Sequence, residues 1–94
     1  MPTTKRACAE RRERARAIEG DVRAAATGAG LTLVVRSFRL GQGQTWHWMF
    51  SAGGRRMLDF WPGRGSWWSP ATGDRGLCPD PWQALGLAVA VARG

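Results

Sequence analysis

Strict alternation of apolar and polar residues over Gln44–Ser51 (QTWHWMFS) predicts a strand with Trp46, Trp48 and Phe50 on one face. Upstream, Leu31–Leu40 (LTLVVRSFRL) reads as a strand from its β-branched and apolar content. Downstream, Arg55–Trp61 forms a third strand and Ser66–Ser69 a short fourth. The turns fall at Gly41-Gln42-Gly43, Ala52-Gly53-Gly54 and Pro62-Gly63-Arg64-Gly65. Helical patterns flank this run. Thr4–Ala26 is dominated by Ala and Arg, with Thr4 placed to cap it and Gly28 and Gly30 to stop it. Its apolar stripe is thin (Cys8, Ala15, Ile18, Val22, Ala25) and Arg11 interrupts it, so residues 1–14 read as a loosely held basic arm. The last helix has Asp80 as N-cap, Pro81 at its first position and Gln83 in capping-box spacing. It runs to about Ala92 and is apolar nearly all round, which implies deep packing against the sheet. Pro70–Pro79 reads as a mobile loop.

The hairpin between the second and third strands decides which side chains share a face. A two-residue Gly53-Gly54 loop alone puts Asp59 beside Trp46 and Trp48. A three-residue Ala52-Gly53-Gly54 loop aligns Leu58 and Phe60 with Trp46, Trp48 and Phe50, and sets His47 opposite Asp59. The second register is preferred because it buries five apolar side chains and no carboxylate. The expected fold is therefore a single α+β domain over residues 1–94: an N-terminal helix, a three- to four-stranded antiparallel sheet, and a C-terminal helix packed on one sheet face.

Composition narrows the function classes. Ninety-four residues exclude a Rossmann fold, a TIM barrel or a multidomain enzyme. Lys+Arg 14 against Asp+Glu 7 gives a net charge of +7, and Lys5 is the only lysine. The planar guanidinium fork suits phosphate and carboxylate partners, although GC-rich coding also favours Arg, Gly and Ala. Cys8, Cys78 and His47 are too few for a four-ligand zinc site, so no metal is expected. No cofactor is expected either: no Gly-rich segment ends in Gly-Lys-Ser/Thr, and Gly41-x-Gly43 opens no helix. The apolar stretch Ala84–Ala92 is far shorter than the ~20 residues of a membrane span. With a charged N-terminus and no apolar signal region, the expected setting is the cytoplasm of a host cell, with both thiols reduced.

Leu58-Asp59-Phe60-Trp61-Pro62-Gly63-Arg64-Gly65-Ser66-Trp67 is the most distinctive stretch. Pro62 ends the strand, Gly65 lets the backbone reverse, and Trp67 is placed to fold back over the turn. The stretch resembles a pattern in small phage and prophage proteins of uncharacterised function: apolar-Asp-aromatic-Trp-Pro-x-x-Gly-x-Trp. Those proteins also begin with an Ala/Arg-rich helix ending in Ala-x-Gly, like Ala26-Thr27-Gly28, and end in a short apolar helix. Similar proteins carry a basic, Gly-containing segment directly before the last helix; Gly73-Asp74-Arg75-Gly76 matches it loosely, and Leu77-Cys78-Pro79 is extra. The resemblance implies a phage or prophage origin and a sheet-plus-helix fold, and brings no activity with it.

Arg interleaved with exposed aromatics is what a protein needs to stack bases while neutralising phosphates. Trp61, Trp68, Arg36, Arg55, Arg56 and Arg64 are the expected contacts on the sheet, with Arg11 and Arg12 on a second, helical arm. The function expected is a non-enzymatic, phage-type accessory protein binding nucleic acid or a host nucleoprotein. The alternative is a phage inhibitor of a host protein complex, an anti-defence role such as anti-CRISPR, acting by protein–protein contact through the last helix and surplus Trp. Enzymatic chemistry is set aside: His47 and Asp59 could pair as base and orienting group, but neither Ser51 nor Cys78 is placed as a nucleophile. A homodimer burying the apolar last helix is a further expectation.

Overall fold

A computed structural model describes residues 5–40, 43–78 and 80–94, with backbone alone over 38–40 and 43–45. Thr4 as a cap and the Gly41-Gln42 turn lie outside the described residues. Helix α1 (Lys5–Gly28) leads into β1 (Thr32–Leu40), β2 (Gly43–Ala52), β3 (Arg55–Trp61), β4 (Ser66–Trp68), β5 (Arg75–Leu77) and helix α2 (Pro81–Arg93). The strands form one antiparallel meander in the order β1-β2-β3-β4-β5. The α+β class is as expected, and the sheet has five strands where three or four were read. The additional strand, β5, lies inside the segment read as a loop. Three residues, Arg75-Gly76-Leu77, are too few to show an alternation.

Both helices pack on the same face of the sheet. Ala15, Val22 and Ala26 of α1 and Ala84, Leu85 and Ala88 of α2 join Leu33, Trp48, Phe50, Leu58 and Phe60 in one buried cluster. The end of α1 shows why the chain enters the sheet at Thr32. Gly30 takes φ +82, the Gly30 amide donates to the Thr27 carbonyl (3.1 Å) and the Leu31 amide to the Ala26 carbonyl (2.8 Å). This is a Schellman stop, with Leu31 and Ala26 both buried beside it. Asp80 caps α2 as expected, accepting a 2.9 Å bond from the Trp82 amide. Gln83 instead turns towards Cys78, its Oε1 3.9 Å from Sγ. α2 is not buried all round: Trp82, Gln83, Gly86 and Ala90 face outward.

The β2–β3 hairpin reaches the expected facing by a different device. Gly53 (φ +58) and Gly54 (φ +80) form a two-residue turn that pairs Ala52 with Arg55. A β-bulge between Phe50 and Ser51 then takes up Met57, so that Phe50 pairs with Leu58 and Trp48 with Phe60. The five apolar side chains share the helix-covered face, as the burial argument requires. The three-residue loop is corrected, and with it the pairing of His47: Asp59 stands opposite Met49, and His47 lies beside Trp61.

The first half of α1 is held, contrary to the loosely held arm expected from its thin apolar stripe. Arg11 donates to the Gly63 carbonyl through Nε (3.2 Å) and Nη2 (2.9 Å), and Arg14 pairs with Asp80 at 3.2 Å. The interruption in the stripe is thus a clamp between α1 and the β3–β4 turn.

Candidate nucleic-acid interface

Among the described residues, no helix or strand covers the second face of the sheet. The strand registers arrange its side chains in transverse rows. One row runs Arg36, His47, Trp61, Ser66, Leu77; the next runs Val34, Met49, Asp59, Trp68, Arg75. Arg56 follows opposite Ser51. Val34 and Trp68 are 41% and 38% exposed, unlike the fully buried Trp48, Phe50 and Phe60 on the opposite face. The face is therefore a half-open aromatic surface edged by guanidinium groups.

Two of its features are built by packing between side chains. His47 and Trp61 stack with ring centroids 4.9 Å apart and planes 3° from parallel. Asp59 is 2% exposed although no helix lies over it. Its cross-strand neighbours Met49 and Trp68 flank it, the Arg56 guanidinium sits 3.2 Å from Oδ2, and His47 Nε2 is 3.6 Å from Oδ1. That last distance is too long for a hydrogen bond, and both Nε2 and Oδ1 are buried without a partner. Burial pushes the His47 pKa below the ordinary imidazole value, against the pull of Asp59 and with the push of Arg56 and Arg36. The imidazole is therefore neutral at neutral pH and acts as a flat support for Trp61.

Arg36, Arg56, Trp61 and Trp68 come together on this face, and Arg56 reaches it only through the bulge at Met57, since strict alternation would set it with Leu58 and Phe60. Arg56 is partly committed to Asp59. Arg55 sits at the Gly53-Gly54 end of the sheet and Arg64 in the β3–β4 turn, both exposed at its margins. Arg11 and Arg12 are not part of the surface. Arg11 is spent on the Gly63 carbonyl, and the Arg12 stem lies against Gly63, where a Cβ would come within 3.2 Å of its Cγ. Arg6 and Arg14 pair with Glu10 and Asp80, and Arg16 lies 5.7 Å over the Trp46 ring. Arg11, Arg12 and Arg14 thus hold α1 against the rest of the fold.

Two parts of the surface were missed by sequence reasoning. Arg75 and Leu77 belong to β5, and their signal was only a cation and an apolar residue around Gly76. The register explains that glycine: Trp67 lies across from it on the helix-covered face, and a Cβ there would stand 3.0 Å from the indole Nε1. Trp67 is accordingly packed against β5, not folded over the preceding turn. A groove of about 510 Å³ follows on β4 and β5, lined by Trp61, Ser66, Trp68, Arg75 and Leu77 among others. A second, of about 620 Å³, runs between β5 and α2 past Cys78, Gln83 and Leu87.

No group of three or more His, Cys, Asp or Glu among the described residues is placed to hold a metal ion. No helix among them is long and apolar enough to cross a membrane. Cys8 and Cys78 are free thiols; burial raises the Cys78 pKa. Comparison with protein-family models, curated proteins and solved structures finds no match.

Proposed function

We propose that this protein is a non-enzymatic accessory protein of phage type that binds nucleic acid, free or within a nucleoprotein, on the open face of its sheet. The observation that carries this reading is the composition of that face. It presents Trp61 and Trp68 among Arg36, Arg56 and Arg75, while its carboxylate, Asp59, is buried and paired. Aromatic faces stack on bases, guanidinium groups neutralise phosphates, and a buried, paired carboxylate repels them little. The phage assignment rests on the resemblance of Leu58–Trp67 to small phage and prophage proteins. Titration of fluorescently labelled DNA and RNA at 50 and ~200 mM salt tests the reading: binding is expected to weaken by at least tenfold between the two. Absence of binding at low salt, or salt-insensitive binding, contradicts it.

A second reading, inhibition of a host protein complex by direct contact, is favoured by the groove between β5 and α2 and by Trp82, 41% exposed on α2. Recovery of a host complex that survives nuclease treatment, and is lost in Trp82→Ala, would support it over the first.

A further inference from the structure

We propose that the groove over β4 and β5 is a slot for a single unpaired nucleobase, which makes the ligand of the open face single-stranded. This rests on the nucleic-acid reading above and specifies the form of its ligand. The groove exists because Ser66 is small. Ser66 sits between Trp61 and Leu77 in one transverse row, while the adjacent row carries Trp68 and Arg75. A short side chain among four long ones leaves the depression of about 510 Å³, lined mainly by residues of the aromatic face, with Trp67 and Gly76 of β4 and β5 completing it.

The walls are suited to a flat, apolar ring with an anionic tail. His47 covers one face of the Trp61 indole in a parallel stack, which leaves the opposite face for a ligand and holds the ring still. Trp68 supplies a second aromatic wall, and Arg75, its cross-strand neighbour, puts a cation beside it. Asp59, opposite Trp68, is buried and paired with Arg56, so it adds little opposing charge; the exposed carboxylate beside the slot is Asp74, the neighbour of Arg75. In a duplex the base faces are already stacked on one another and only the base edges are presented in the grooves. An unpaired base offers its π-face at little unstacking cost.

The test compares a single-stranded oligonucleotide with a hairpin duplex of the same base composition, by fluorescence anisotropy at fixed salt, in wild type, Trp68→Ala and Ser66→Trp. Ser66→Trp fills the slot without removing a charge. Trp68 is solvent-facing, so Trp68→Ala keeps the measurement interpretable if the filled variant does not fold. Wild type is expected to bind the single strand at least tenfold more tightly than the duplex, and each folded variant to lose about tenfold for the single strand only. Equal binding of duplex and single strand overturns the slot and leaves the nucleic-acid reading standing. A single-strand preference that Trp68→Ala leaves intact overturns the slot as well. Failure of wild type to bind either form overturns both.

Discussion

The two faces of this sheet are built from alternate residues of the same strands, yet they solve different problems. Trp48, Phe50, Leu58 and Phe60 are buried beneath two helices. Their immediate neighbours His47, Met49, Asp59 and Trp61 have no helix above them, and bury one another instead. The first face is closed by apolar contact over a wide area. The second is closed locally, by a ring stack and a paired carboxylate, and remains open around them. The difference teaches that alternation assigns a side chain to a face, whereas the elements that land on that face decide whether it becomes core or surface.

Substitution of adjacent residues is the hardest test of that contrast. Phe60→Ala should cost about 3–5 kcal/mol in urea unfolding, because it opens a cavity under the helices. Trp61→Ala, one residue on, should cost well under half as much and abolish most of the nucleic-acid binding. Equal stability losses would collapse the distinction between the faces. Arg11→Met comes next in size. Loss of its two bonds to the Gly63 carbonyl should cost about 1.5–3 kcal/mol in thermal or chemical unfolding. Nucleic-acid affinity should stay within a factor of two or so of wild type. A stable variant with weakened binding would place Arg11 back among the phosphate contacts.

The smallest effect expected is on pH dependence. Burial holds the His47 pKa below its ordinary value despite Asp59 beside it, with Arg56 and Arg36 adding to the depression. The unfolded chain then takes up a proton near pH ~6.5 that the folded chain still refuses. His47 therefore contributes a loss of stability as pH falls below that value towards its folded-state pKa, and none above it. Melting temperatures between pH 7.5 and 5.5 should fall more steeply for wild type than for His47→Gln. Parallel curves for the two proteins would mean that His47 is not held neutral.

Much of this was legible from local pattern. Period-two alternation placed Trp46, Trp48 and Phe50 together, and the demand to keep Asp59 out of the core selected the correct facing of Leu58 and Phe60. The route to that facing was hidden. The bulge at Met57 has no glycine or proline to mark it, so a loop length was adjusted where the chain adjusts a strand. Arg56 and Trp68 were less legible, because the bulge turns Arg56 over and β4 has only three residues, while Arg36 and Trp61 were readable as one surface from alternation. Arg75 and the groove were not, because β5 is only three residues long and acquires its meaning from pairing with β4. Arg11 was misread for a related reason: its partner, Gly63, is 52 residues away, and no helical periodicity contains that contact.

The most direct measurement of the central claim follows the side-chain indole N–H signals of the six Trp by NMR during titration with a single-stranded oligonucleotide. Trp61 and Trp68, on the open face, should shift or broaden at the lowest ligand ratios, while Trp46 and Trp48, buried under the helices, hold their positions. Movement of Trp82 alone, or a uniform drift of all six, would contradict the assignment of the open face as the binding surface.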